Sequence, residues 1–337
     1  RNLSEMNDYL RTVPGVSYLE VGLGHNAVVT RGIGINPQND GILSSASTGI
    51  YFGEVALTGL SVTGGSANLK MIDLERVEVL RGPQGTLFGS GALAGVVRNV
   101  PNAPDLNELE GSLKTSYSNT AKNGGGNTKL EGVINIPVLD DALAVRAVAY
   151  RHDTSGYIKN IAGTQLANDG IVFPGRTASE AVALDDSAAL FKDENDVGAT
   201  VYEGGRVSAL WKPIDTLSVT FQHIYQDVHE QGQPYVELDF GDYEQVTLQY
   251  GGDLAGVKSE RKDKINISNL VIDYDFGWAS LMSSSAWLEE VSSQNQDQSG
   301  FRGQAFGSLF GATNDVFSQE LRLASQLDGA FQDRKST

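Results

Sequence analysis

The chain has 337 residues, and its 42 Asp plus Glu outnumber 25 Lys plus Arg to leave a net charge of −17. That balance argues against nucleic acid as a partner, because phosphate binding needs a basic surface. There is no cysteine, which excludes disulfides, thiolate metal sites and cysteine nucleophiles, and the four histidines at His25, His152, His223 and His229 are too scattered for a His-rich metal centre.

No apolar run approaches the roughly 20 residues of a membrane-spanning helix. A β-barrel stays open, since its strands alternate and leave no hydropathy peak. The chain opens at Arg1 with neither Met nor a signal peptide, which reads as a removed leader or a fragment.

In chain order, "NLSEMNDYLRTVPGV" offers one short helix, with Ser4 as N-cap, Leu3, Met6 and Leu10 as an apolar stripe and Pro14 as a stop. Short strands broken by Gly, Asn and Pro follow: "NAVVTRGIGI", "TGIYFGEVAL" and "LERVEVL". This region, 1–107, reads as a small mixed α/β domain with long irregular loops.

From Glu110 the strands lengthen and alternate. "TKLEGVINIPV" sets Leu130, Gly132, Ile134, Ile136 and Val138 on one face, and Lys129, Glu131, Val133 and Asn135 on the other. "LAVRAVAYRH" sets Leu143, Val145, Ala147 and Ala149 opposite Arg146 and His152. "TLSVTFQHIYQ" and "FSQELRLAS" repeat the pattern, a period of two that marks strands. About eight strands are predicted over 110–119, 127–138, 142–153, 203–213, 216–229, 263–276, 278–290 and 315–325.

The connections alternate too. "LDD", "PID" and the junction at Gly277 are tight, whereas 154–202, 230–262 and 291–314 are long. Short turns at one end and long loops at the other are the asymmetry of a transmembrane barrel, and Trp211 and Trp278 sit beside tight turns, where an interfacial girdle belongs. The competing architecture is a soluble β-sandwich, whose strands average five or six residues. Strands of ten or more favour the barrel.

"RVEVLRGPQGTLFGSGALAGVV" carries Gly82, Gly85, Gly89, Gly91 and Gly95 after a strand. Gly89–Gly95 is one residue off a dinucleotide fingerprint, but it lacks the βαβ setting, and no G-K-[ST] follows. The other reading is that glycine permits positive φ and close backbone packing in a confined turn.

Residues 72–104, "IDLERVEVLRGPQGTLFGSGALAGVVRNVPNAP", resemble the plug-domain signature of TonB-dependent outer-membrane receptors. "LSEMNDYLRTVPGV", "VVTRGIGIN" and "TGIYFGEVAL" stand upstream in the family's order, and "FSQELRLAS" resembles one of its barrel strands. Where the family has Asp-Gly after the Tyr of the third piece, this chain has Gly53 and Glu54. The resemblance implies a mixed α/β plug domain over 1–107, N-terminally truncated. It further implies an antiparallel transmembrane β-barrel over 108–337, about the first eight of some 22 strands.

It also implies TonB-dependent import of a scarce ligand, most often a ferric siderophore, across the Gram-negative outer membrane. The partners would be the inner-membrane TonB complex, the small ligand and outer-membrane lipid, with the receptor a monomer. No catalytic residue, cofactor or metal site is expected. Vitamin B12, haem and oligosaccharide importers share the same plug. A passive porin, a signalling receptor and a soluble carbohydrate-binding β-domain are the readings outside that class.

In the family, plug arginines pair with barrel glutamates. Arg31 and Arg81 are the matching arginines, and Glu320 is the candidate partner. The alternative is that these are solvated lumen charges. Ligand contacts are expected in 36–47, 58–68 and the aromatic stretch 223–243.

Overall fold

The structure is a computed structural model that describes residues 6–20, 26–34, 46–58, 68–89, 91–161, 193–232, 236, 243–245, 250–251, 254–255, 259–297, 307–325 and 334–336. The first part holds α1 (Met6–Leu10), β1 (Val16–Glu20), β2 (Asn26–Thr30), β3 (Thr48–Phe52), β4 (Val55–Ala56), β5 (Leu74–Arg81), α2 (Gly85–Phe88) and β6 (Gly95–Pro101). In α1, Met6 and Leu10 lie one turn apart on one face and are buried together. The proposed cap Ser4 lies outside the described residues.

β1 and β2 form an antiparallel pair, and the other four strands form a mixed sheet in the order β4-β3-β6-β5, with β3 parallel to β6. Ile50, Phe52, Val55, Leu57, Leu69, Met71 and Val97 make its core together with Met6 and Leu10. This is ordinary burial, with apolar side chains withdrawn from water.

The second part begins with β7 (Glu110–Asn119), β8 (Gly126–Leu139) and β9 (Leu143–Thr154). After the short β10 (Ile158–Asn160) and β11 (Glu194–Val197) come β12 (Ala199–Ile214) and β13 (Leu217–Gln231). Three more short pieces, β14 (Glu244–Gln245), β15 (Tyr250–Gly251) and β16 (Leu254–Ala255), precede β17 (Glu260–Asp275), β18 (Ala279–Asp297), β19 (Gly307–Ser325) and the short β20 (Arg334–Ser336). Eight long strands and β20 form one antiparallel sheet in the order β7-β8-β9-β12-β13-β17-β18-β19-β20, so each long strand pairs with the next in sequence. Tight turns join β8 to β9, β12 to β13 and β17 to β18, and all lie at one end.

Several strands outrun their predicted bounds. β18 reaches Asp297 and β19 starts at Gly307. Their extra residues lie toward the long-loop end and are mostly polar, Gln294, Asn295 and Asn314 among them, with Val291, Leu309 and Phe310 as exposed apolar exceptions. Apolar and polar residues no longer alternate regularly there, so the period-two signal fades before the strand does.

Burial runs backwards in this sheet. In β8, Leu130, Ile134, Ile136 and Val138 are exposed while Asn135 between them is 0% exposed. Arg146, His152, Arg206, Gln222 and Gln226 are likewise buried on the concave side. Phe221, Phe317, Leu321 and Leu323 face out. A wall with lipid outside and a polar lumen inside has this alternation. Trp211, Phe276 and Trp278 are exposed near the tight turns, with Phe276 4.6 Å from the Tyr274 ring and 5.9 Å from the Trp278 ring. They form an aromatic belt at that rim.

In the glycine-rich turn, individual glycines meet different backbone needs. Gly82 has φ +95°, and a Cβ on Gly95 would lie 2.5 Å from the Leu80 carbonyl oxygen. The amides of Gly82 and Gln84 donate to the carbonyls of Ala94 and Ala92. Those donors are spent inside the loop and do not point at an anion.

Candidate functional site: the contact between plug and wall

The first part is seated on the concave face of the second. Its core runs on into Ile224 of β13, Ile265 and Ile267 of β17, and Ala286 and Leu288 of β18. Ile224, Ile267 and Leu288 stand side by side across three strands. They form an apolar patch on an otherwise polar inner wall, and the plug core covers it.

Beside the patch, the wall grips residues 68–73. Leu69 and Met71 turn into the plug core, and the Lys70 ammonium lies 3.7 Å over the Tyr202 ring. Gln226 accepts from the Lys70 amide at 2.9 Å and donates to the Asn68 carbonyl at 2.9 Å. Tyr150 donates to the same Gln226 oxygen at 2.8 Å. The carboxamide thus supplies one donor and one acceptor to a peptide backbone, as a neighbouring strand would.

At the end of this segment stands Asp73, with φ +57°. Arg146 of β9 holds its carboxylate through two bonds of 2.7 and 2.6 Å, a bidentate fork. Arg206 of β12 adds a bond of 2.8 Å to the carboxylate and reaches the carbonyls of Asp73 and Ile72 at 3.0 and 3.3 Å. Asn102 donates at 2.8 Å, and Arg146 also reaches Glu110 at 3.1 Å. The side chains of Asp73, Arg146 and Arg206 are all at most 7% exposed. Burial alone would raise the Asp73 carboxyl, but the hydrogen bonds from Arg146 and Asn102 and the two guanidinium charges outweigh it and hold it below the usual carboxylate range.

The linker to the wall is tied nearby. Asn135 accepts from the Asp105 amide at 2.9 Å and donates to the carbonyls of Asp105 and Glu108.

A second contact lies at β19. Glu54, in the turn between β3 and β4, pairs with Arg98 of β6 and with Arg322 at 3.1 Å. Arg322 also makes two bonds to Glu320, at 2.6 and 3.0 Å. Arg98 reaches Glu78, which Arg76 bonds at 2.7 Å, and Arg76 reaches Glu75 at 2.6 Å. The result is an alternating chain of seven charges: Glu75, Arg76, Glu78, Arg98, Glu54, Arg322 and Glu320. The hydrogen bond from Arg76 leads the causes that keep Glu78 below the usual carboxylate range.

The predicted site residues fall as follows. Glu320 faces the plug, and its charge, after burial, is the next cause raising the Tyr51 hydroxyl above its ordinary value. Its ion pair runs to Arg322. Arg81 is exposed, and Arg31 is exposed with φ +52° and donates its amide to the Gly15 carbonyl. Among the described residues neither arginine has an ion pair. The expected ligand loops lie mostly outside the described residues. Of the stretch 223–243, residues 223–231 are part of β13 and so belong to the wall.

Asp73, Gln226 and Arg206 were not singled out from sequence, and Glu54 was, only as a departure from the family's Asp-Gly pair. Arg146 was, as the charge opposite an apolar set. A lone arginine at an inward strand position is the signal that could have led to the anchor.

A family model described as TonB-dependent Receptor Plug Domain matches residues 1–96. A probable TonB-dependent siderophore receptor, PirA of Acinetobacter baumannii, is 27% identical over 223 residues, which is 60% of this chain and 28% of that protein. A vitamin B12 transporter, BtuB of Vibrio vulnificus, is 35% identical over 107 residues, 30% of this chain and 15% of that protein. The ferric yersiniabactin uptake receptor FyuA of Yersinia pestis has the same fold, with a TM-score of 0.70 at 18% identity over 97% of this chain and 44% of its own. The chain therefore spans less than a third of the curated relatives it matches and under half of that solved structure.

Proposed function

We propose, for a chain that belongs to the TonB-dependent receptor family, that the whole protein imports a ferric siderophore across the bacterial outer membrane. The plug closes the wall until the inner-membrane TonB complex draws on it. The observation that carries this reading is the plug segment 68–73 fixed by backbone and carboxylate to the inner wall. A plug so held blocks passive flow, which sets the protein apart from an open porin. The siderophore reading leans on the PirA relative, whose match takes in 60% of this chain.

No bond is made or broken in such a cycle, so the residues that matter are those that hold and release. Arg31 and Arg81 enter this reading as plug cations for acidic wall groups, Glu320 among the candidates.

The test is uptake of a labelled ferric siderophore by iron-starved cells carrying or lacking the full-length gene. Uptake that needs both the gene and TonB supports the proposal. Uptake of labelled cobalamin in place of the ferric chelate would move the protein to the vitamin B12 branch.

A further inference from the structure

Three connections at the long-loop end converge on Gly156. The first is 120–125, between β7 and β8. The second joins β9 to β12 and is described over 155–161 and 193–198. The third joins β13 to β17 and includes Gly232, 243–245 and Ser259. A Cβ on Gly156 would overlap the Val197 carbonyl oxygen and lie 2.5 Å from that of Asp196. A Cβ on Gly124 would overlap the Gly156 carbonyl oxygen. Backbone is thus stacked on backbone here, which a residue without a side chain allows.

Hydrogen bonds lock the stack. The Gly156 amide donates to the Asp196 carboxylate at 2.7 Å, and the Asp196 amide donates to the Asn123 carbonyl at 2.9 Å. The Ser155 hydroxyl accepts from the Gly125 amide at 3.0 Å and donates to the Gly125 carbonyl at 3.1 Å. The first connection is therefore tied to both arms of the second. β10 ties the second to the third, pairing antiparallel with β11 and parallel with β14. The Lys159 and Ile161 amides donate to the Tyr243 and Gln245 carbonyls, both at 2.9 Å. Tyr243 also meets the first connection, with the Lys122 ammonium 4.5 Å over its ring. Ile158, Asn160, Val197 and Gln245 are buried, so the assembly has a small interior of its own.

We infer that these three connections form one body at the mouth of the wall, keyed on Gly156, and that cargo enters without their parting. Each holds the other two through backbone groups, and a buried group that loses its partner pays the full cost of desolvation. Opening one connection therefore breaks bonds in the next, and a single flap is not available on the β7–β17 side. The inference rests on the import reading for the cargo alone.

Two measurements on the full-length receptor test it. The first is a bridge. This chain has no cysteine, and Lys159 and Glu244 are register partners, so Lys159→Cys with Glu244→Cys ties the second connection to the third. Uptake of labelled ferric siderophore by iron-starved cells is expected to be the same with the bridge closed and after reduction. Uptake that is lost on oxidation and restored by reductant overturns the proposal.

The second needs no cargo. Hydrogen exchange is followed at the Thr120, Lys159, Asp196 and Gly232 amides, each bonded within or between the three connections. Gly156→Ala is expected to speed all four together by about tenfold, the ratio that about 1.4 kcal/mol of lost hydrogen bonding gives. Gly85→Ala, where a side chain meets open space, leaves them unchanged. Faster exchange confined to Lys159 and Asp196 overturns the proposal. Heat-resistant migration of the barrel checks the fold of each variant. If Gly156→Ala loses it, Asp196→Gly removes the acceptor of the Gly156 amide, tolerates the positive φ there and is read the same way. A receptor that takes up no ferric siderophore in either state of the bridge fails the import reading, and the exchange measurement still decides whether the three connections are one body.

Discussion

Plug and wall bury opposite kinds of residue. In the plug, β3 buries Ile50 and Phe52 against the rest of its core. In the wall, β8 exposes Ile134 and Ile136 and buries Asn135. Water drives the first arrangement. In the second, lipid takes the apolar face and the lumen receives the polar one. The difference teaches that a period of two fixes which residues share a face but not which face is inside. What marks the inside of the wall is the plug lying on it, through Gln226, Arg206 and Arg146.

The sharpest test of that contrast is Phe52→Ala. It empties a site that is 3% exposed and is expected to cost the plug about 3–5 kcal/mol. Phe317→Ala, on the outer face at 65% exposure, is expected to cost far less, as read by thermal unfolding of the full-length receptor in detergent. Equal losses would undo the inside-out reading.

Next comes the anchor. Asp73→Ala strands two buried guanidinium groups and is expected to release the plug, measured by protease digestion, at a cost of about 3 kcal/mol. Because the Asp73 carboxyl titrates below its unfolded value, its contribution is complete above that ordinary value, about pH 3.9, and fades as pH falls through the lower native one. Protease resistance of the unaltered plug should therefore hold at neutral pH and decline only in strong acid.

A third variant, Ile134→Lys, puts a charge on the lipid face. A loss of about 2 kcal/mol is expected if the residue is near the bilayer midplane, and less toward either rim. The readout is the urea midpoint of barrel unfolding in lipid vesicles. The smallest effect belongs to Trp278→Ala at the tight-turn belt, within about 1 kcal/mol in the same assay, since the ring is 58% exposed at the rim.

Much of the wall was legible because lipid and lumen impose a regular pattern on every strand. "TKLEGVINIPV" and "LAVRAVAYRH" reveal β8 and β9 almost to the residue. The ends of β18 and β19 at the long-loop side lack that regular pattern and read as loop. Of the five glycines in the motif, Gly82 stands at positive φ and Gly95 lies against a carbonyl, while Gly85 has open space around it. The anchor was not legible. Asp73 is 73 residues from Arg146 and 133 from Arg206, and no local rule joins them. The pairing suggested by resemblance places cations on the plug and acids on the wall. The Asp73 anchor has the reverse polarity, and the Glu54 contact shares it. The charges of "LERVEVLR" did find partners, through Arg76 and Glu78 in the seven-charge chain.

Gln226 and Arg206 take hold of amides and carbonyls at Asn68, Lys70, Ile72 and Asp73. Every amino acid carries a carbonyl, and every one but proline an amide hydrogen. These backbone bonds do not themselves read side-chain identity, although Asn68, Lys70 and Ile72 are also held through their side chains, by Tyr202 and by burial. The backbone share of the seat would therefore survive a replacement that the side-chain share would not.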